Sequence, residues 1–322
     1  MTFDMSAFRT EYPWEGEYLT LKNGVRMHFL DEGKGDPLVM VHGNPTWSFY
    51  FRNLVKGLSG SYRTIVPDHV GCGLSDKPGD DQYDYVLEQR VNDLETLLES
   101  RGVTENITLV LHDWGGMIGL AFATRHPERI KRIVVLNTAG FGLPEGRSLP
   151  WQIALVRFLP FFVVPVRGFN AFSRGANASC SVRPGRMTKT VKAAYLAPHD
   201  SWKNRISVQR FVEDIPLAPG HRSYNIVKNV SDKLGQFSKT PLLICWGRKD
   251  FCFDDHFLAE WKRRLPHAEV HEFIDAGHYV LEDAHEEILP LIQSFLGKFP
   301  LAPATSKDAA EPKDPPAVQA QA

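Results

Sequence analysis

The sequence predicts an α/β fold: a mostly parallel, eight-stranded sheet with helices on both faces and an inserted helical cap. Three observations point there. Short apolar runs alternate with amphipathic stretches through the first part of the chain, the alternation lapses from about Gly142 to Asn229, and it resumes at Pro241. The expected organisation is a core over 1–141, a cap over 142–229, a second core segment over 230–299 and a disordered tail over 300–322.

The elements follow in order. Glu17 to Lys22 alternates and meets Asn23-Gly24, a hairpin turn signal, and Val25 to Leu30 returns as the partner strand. The hairpin is expected to add antiparallel strands at one edge. Pro37 to Val41 is a short apolar run of the buried-strand kind, stopped by His42-Gly43-Asn44-Pro45. Trp47 to Leu58 predicts a helix and Thr64 to Val66 a strand, and Gly71 and Gly73 are turn glycines. Tyr85 to Arg101 carries Val86, Leu87, Val91, Leu94, Leu97 and Leu98 at helical spacing, and Gly102 ends it. Strand Ile107–Leu111, a helix through Ala123 and strand Ile133–Leu136 follow.

The interrupted region is rich in Pro, Arg and aromatics. It contains helix-like pieces at Trp151–Phe158, Met187–Leu196 and Asn204–Asp214. Strand Pro241–Trp246, helix Asp255–Arg264, strand Glu269–Ile274 and helix Glu286–Leu296 complete the chain.

Composition narrows the function. Lys+Arg 37 against Asp+Glu 38 gives a formal net charge of -1 with no basic run, which argues against nucleic acid as a partner. The four cysteines are spread without metal-type pairing, so no metal or cofactor is expected and a cytoplasmic location fits. Asp4, Arg9 and Glu11 interrupt any apolar leader, so no signal peptide is expected. The longest apolar segment, Ile153 to Val166, is cut by Arg157, Pro160 and Pro165. It falls short of the ~20 residues a membrane span needs.

The chemistry centres on Leu109-Val110-Leu111-His112-Asp113-Trp114-Gly115-Gly116, a strand, a sharp turn and a helix start. A serine hydrolase has Gly-x-Ser-x-Gly at such an elbow. Here Asp113 occupies the nucleophile position. A carboxylate suits displacement at an sp³ carbon and leaves an ester whose carbonyl water can attack. That second step needs a base, and His278 follows the last strand, with Asp250 after the preceding one as its orienting acid. The order nucleophile, acid, base is that of α/β-hydrolases. The backbone N–H groups of Asn44 and Trp114 would form an oxyanion hole, and the Asn44 amide and Trp114 indole would meet a departing anion. Taken singly, Asp113 could be a helix N-cap and His278 a core histidine. The concurrence of three matched residues at three strand ends favours catalysis. His112 and Asp68 are read as structural, the latter fixing its loop.

The strings His42-Gly43-Asn44-Pro45-Thr46-Trp47-Ser48, Pro67 to Pro78, His112-Asp113-Trp114-Gly115-Gly116 and Gly277-His278 resemble the haloalkane dehalogenases over roughly Gly16 to Phe299. The resemblance implies an α/β-hydrolase fold with Asp113, His278 and Asp250 as triad and Asn44 and Trp114 as anion donors. The position after the sixth strand, where another subgroup keeps a Glu, holds Asn137.

The lid strings Phe169 to Gly175, Asp200 to Ile206 and Phe211 to Leu217, with His278 to Asp283, look like the β-lactone decarboxylases of bacterial olefin biosynthesis within the same subgroup. That likeness implies decarboxylation of a cis-3,4-dialkyl β-lactone to a long-chain cis-alkene, and contact with other enzymes of an olefin-biosynthesis assembly. The apolar lid run Leu155 to Val164 would serve a hydrophobic small-molecule substrate. Hydrolytic haloalkane dehalogenation is the alternative. Epoxide hydrolysis would need lid acids, for which Tyr195 and Tyr224 are the candidates.

Overall fold

The computed structural model describes residues 4–301, so the tail expected to be disordered lies outside the described residues from 302 on. Eight strands form one sheet. They are β1 (Glu17–Thr20), β2 (Arg26–Glu32), β3 (Pro37–Val41), β4 (Arg63–Pro67), β5 (Ile107–Asp113), β6 (Ile130–Thr138), β7 (Leu242–Gly247) and β8 (Glu269–Phe273). Their spatial order is β1-β2-β4-β3-β5-β6-β7-β8.

The sheet is mixed. β2 is antiparallel to both β1 and β4, and every pair from β4 to β8 is parallel. The hairpin was expected to add antiparallel strands, but only β2 runs against the rest. A hairpin reverses direction once, so β1 regains the direction of the parallel set.

Continuous apolar strands serve two faces at once, because successive side chains point to opposite sides. Val39, Val41, Leu109, Leu111, Ile133, Val135, Leu242 and Ile244 enter one core. Leu38, Met40, Val110, Val134, Leu136, Leu243 and Cys245 enter the other. The helices are α1 (Arg52–Leu58), α2 (Leu87–Ser100), α3 (Trp114–Arg125), α4 (Trp151–Phe158), α5 (Ala171–Ser179), α6 (Lys189–Leu196), α7 (Ile206–Glu213), α8 (Tyr224–Lys233), α9 (Asp255–Arg264) and α10 (Val280–Lys298). Residues of α2, α3, α8 and α9 pack in the first core, and those of α1 and α10 in the second.

Several local expectations shift. The helix expected from Trp47 begins as a tight 3-10 turn at Ser48–Phe51 and is α-helical only from Arg52. α5 was not expected: Ser173, Arg174, Gly175 and Asn177 dilute its apolar period. The last helix starts at Val280, ahead of Glu286, with a break at Ala284 (φ -136°, ψ 23°). The cap-to-core junction expected at 229/230 falls within α8, whose Val227 and Val230 join the same core as Leu120 of α3.

One buried ion pair ties three of these elements together. Arg52 of α1 donates to both oxygens of Glu282 of α10, at 2.5 and 2.8 Å, and the Tyr195 hydroxyl of α6 donates to the same carboxylate at 2.5 Å. All three side chains are buried. Removing one partner of such a pair strands the other charge away from water. Glu282→Ala is therefore expected to cost about 3–5 kcal/mol in urea unfolding, against about 1 kcal/mol for Tyr195→Phe.

Candidate active site

β5 ends at Asp113 and α3 begins at Trp114. Asp113 sits between them at φ 52°, ψ -127°, a conformation that a side-chain-bearing residue holds only when its surroundings enforce it. Here the Thr138 hydroxyl at the end of β6 donates to the Asp113 carbonyl. Gly115 lets the start of α3 press onto β3, since a Cβ there would lie 1.8 Å from the Val41 carbonyl oxygen. Gly43 clears the space beside the carboxylate, where a Cβ would lie 1.9 Å from Asp113 Oδ1. The turn thus lifts the carboxylate above the carboxyl ends of the strands, where ligands meet open α/β sheets.

The other expected residues converge on it. The Asn44 backbone N–H donates to Asp113 Oδ1 at 2.6 Å, and the Trp114 backbone N–H also bonds the carboxylate. His278 Nε2 lies 3.7 Å from Asp113 Oδ2. His278 Nδ1 is 2.8 Å from Asp250 Oδ2, and the Cys252 and Phe253 backbone N–H groups hold Asp250 Oδ1 at 2.7 and 3.0 Å.

The two proposed anion donors differ. The Trp114 indole N–H has no protein acceptor among the described residues. The Asn44 side chain instead donates to the Val208 carbonyl of α7 at 3.0 Å, while its buried Oδ1 has no partner among the described residues. One amide hydrogen of the expected anion donor is therefore committed to the cap. The amide still carries a second N–H.

Burial raises the Asp113 pKa from the ordinary 3.8, against the pull of His278 and the two backbone N–H groups. Burial pushes His278 down, but the charge and hydrogen bond of Asp250 and the charge of Asp113 outweigh it and raise the imidazole above 6.5.

A cavity of about 410 Å³ opens above these groups. Asn44, Asp113, Trp114 and His278 line its floor, Gln152 and Ser179 add polar groups from the cap, and most of the rest is apolar, including Ile153, Val166, Phe172, Val212, Leu217 and Phe257. The lid run divides. Leu155, Val156 and Phe162 line the cavity, whereas Phe158, Phe161 and Val164 are exposed. Tyr195 and Tyr224 do not line it, so neither proposed epoxide-protonating acid faces Asp113.

The residues read as structural are so. Asp68 accepts from the backbones of Ser48 and Leu74 and pairs with His28 at 2.8 Å. Burial alone would raise its pKa, yet these partners hold it down at about 2. Gly71 and Gly73 turn at φ 89° and 48°. His112 is buried, stacks on Tyr50 with centroids 4.1 Å apart, and its Nε2 lies 2.9 Å from the His278 carbonyl oxygen.

Asn137 was missed as a working residue. Its amide donates to Asp250 Oδ2 and to the Gly247 carbonyl, both at 3.0 Å, and so steadies the acid behind the histidine. Its place at the end of β6 was the available signal. Phe253, also unread, stacks on His278 at 5.8 Å with ring planes 15° apart.

Residues 36–285 match the α/β hydrolase fold family. The chain is 54% identical over 287 residues to a cis-3-alkyl-4-alkyloxetan-2-one decarboxylase of Shewanella oneidensis, covering 89% of this chain and 90% of that one. It is 48% identical to the enzyme of the same description from Xanthomonas campestris, covering 90% and 98%. A haloalkane dehalogenase of Mycobacterium marinum is 32% identical, covering 88% and 94%.

The pKa directions set the acid limb. A carboxylate attacks only when ionised and an imidazole accepts a proton only when neutral, so both functions are gained as pH rises through their raised pKa values. Asp250→Asn removes the charge of Asp250 that raises His278 and leaves at most a weaker, neutral hydrogen bond in its place. Its imidazole midpoint, followed by NMR, is expected above 6.5 in the wild type and lower in the variant. An unchanged or higher midpoint would count against this electrostatic assignment.

Proposed function

The chain belongs to the α/β hydrolase fold family, and within it we propose that it decarboxylates cis-3,4-dialkyl β-lactones to cis-alkenes and CO₂, with Asp113 as nucleophile. The observation that carries this reading is one carboxylate, held at a strained turn, beneath an apolar cavity large enough for alkyl chains. The identity to two cis-3-alkyl-4-alkyloxetan-2-one decarboxylases over nine-tenths of the chain supports the choice of substrate.

The steps balance without a cofactor. Asp113 Oδ2 faces His278, while Oδ1 is held by the Asn44 N–H. A carboxylate oxygen attacks the ring carbon bearing oxygen, the C–O bond breaks, and a free carboxylate is released at the other end. That carboxylate leaves as CO₂. Its bonding pair becomes the C=C bond, and the ester C–O pair returns to Asp113. Inversion in the first step and anti departure in the second keep the alkyl chains on one side, giving the cis product. The second amide hydrogen of Asn44 and the indole N–H of Trp114 stabilise the carboxylate as it forms. No water is consumed. No proton moves in this sequence, so His278, positioned by Asp250, has no acid–base step in it and stands beside Asp113 Oδ2.

Haloalkane dehalogenation is the second reading, favoured by the relative at 32% identity. The same attack would expel a halide toward Asn44 and Trp114. Water deprotonated by His278 would then cleave the ester. A hydrophobic small molecule is the substrate in either case. A cytoplasmic location and contact with other enzymes of an olefin-biosynthesis assembly belong to the same proposal.

A paired assay separates the two readings. Incubation with a cis-3,4-dialkyl β-lactone is expected to give olefin, and incubation with a bromoalkane negligible bromide. Bromide without olefin would overturn the decarboxylase reading. Asp113→Asn is expected to lower turnover by on the order of 10⁴-fold or more. Trp114→Phe is expected to lower it by roughly 10²–10³-fold, as for loss of one transition-state donor. If dehalogenation operates, His278→Ala should leave an alkyl ester on Asp113, seen as added mass in intact-protein mass spectrometry.

A further inference from the structure

We infer that the outer face of the cap is a docking surface for an anionic lipid bilayer. Trp151, Phe158, Phe161, Val164, Phe169 and Trp202 are each 46–72% exposed. The first five lie within nineteen consecutive residues, four of them on α4 and the two short helical turns that follow it and Phe169 directly after the second turn. Trp202 joins them through Arg167, whose guanidinium lies 4.9 Å from the indole centroid and whose Nε donates to the Trp202 carbonyl. Single exposed apolar residues are ordinary on a protein surface, but a run of large aromatics on one element is not.

Charge identifies the occupant. The chain as a whole is nearly neutral at -1, yet from Gly146 to His199 there are eight Lys and Arg and no Asp or Glu, although Arg147, Arg183 and Arg186 pair with acids from other segments. Arg157, Arg167 and Arg174 from this stretch, with Lys203 and Arg205 beside Trp202, form no ion pair among the described residues. Arg205 is spent on three backbone carbonyls, and the others, cations without ion-pair partners among exposed Trp and Phe, match a membrane interface, where headgroup phosphates meet the cations and rings enter the acyl boundary.

The same stretch argues against a span. No single helix among the described residues is long and apolar enough to cross a membrane. α4 and the segment Pro160–Gly168 are apolar together but bent by 101°. Their inward residues Leu155, Val156 and Phe162 line the cavity, so only one side is available to lipid. Trp151 is both exposed and part of the cavity lining, so the mouth of the cavity opens on this face. A lipophilic ligand of any class could pass from lipid to cavity without crossing water, and the inference does not rest on the lactone reading.

The test is flotation of the full-length protein with vesicles of phosphatidylcholine alone or mixed with phosphatidylglycerol. Binding to the mixed vesicles is expected to exceed that to phosphatidylcholine by about tenfold at low salt and to fall as salt screens the cations. F158S/F161S, which changes two exposed rings outside the cavity lining, is expected to lose most of this binding while keeping its thermal unfolding midpoint. R157Q/R174Q should weaken binding to the anionic vesicles only. No binding of the wild type to anionic vesicles, or full binding by F158S/F161S, would overturn the inference. So would light scattering that shows a wild-type oligomer dissociated by F158S/F161S, because the face would then be covered by a second copy of the chain.

Discussion

An ionised carboxylate beneath an apolar cavity is the constraint around which this protein is arranged. Burying a charge away from water is costly unless donors and an opposite charge compensate it. Asp113 is buried against a lining that is mostly hydrocarbon, and burial alone pushes it toward its neutral, unreactive form. Everything around it opposes that push. Two backbone N–H groups point at it, His278 stands beside it, and Asp250 supplies the counter-charge that keeps the imidazole basic. Asp250 is in turn held by two backbone N–H groups and by Asn137. The chain of compensation reaches from the end of β5 to the ends of β6, β7 and β8. That is why the chemistry needs the whole sheet and not one loop.

The fold was legible where one rule governed a segment. Alternating strand faces and the period of α2 follow from local geometry, and they survive in the structure. The misreadings occur where a tertiary partner decides. α5 is a helix tied to α6 through the Asn177 amide, which donates to the Lys192 carbonyl, although Gly175 and Asn177 weaken its apolar pattern. α8 looks like cap by sequence position and packs with α3 because Val227 and Val230 face that way. The hairpin of β1 and β2 follows from Asn23-Gly24, but which of the two runs against the sheet depends on which one joins it.

The site was legible in its charged members and blurred in its neutral ones. Asp113, His278 and Asp250 announce themselves because acids and histidines at strand ends are few and chemically specific. Asn137 and Thr138 carry no such signature. Their value lies in a hydrogen bond to Asp250 and one to the Asp113 carbonyl, and both depend on how β6 is set against β5 and β7. The end of β6 marks where such residues stand, but what they bond becomes visible only when the strands are placed side by side. The cationic bias of the cap was likewise hidden by a balanced total, since the sum over the chain cancels what one region concentrates.

The bond from the Asn44 amide to the Val208 carbonyl joins the loop after β3 directly to α7. The core supplies the amide and the cap supplies the carbonyl that orients it. A substitution in α7 that shifts the Val208 carbonyl therefore shifts a polar group of the site without touching the core, so the cap sequence tunes the geometry above Asp113 as well as the shape of the cavity.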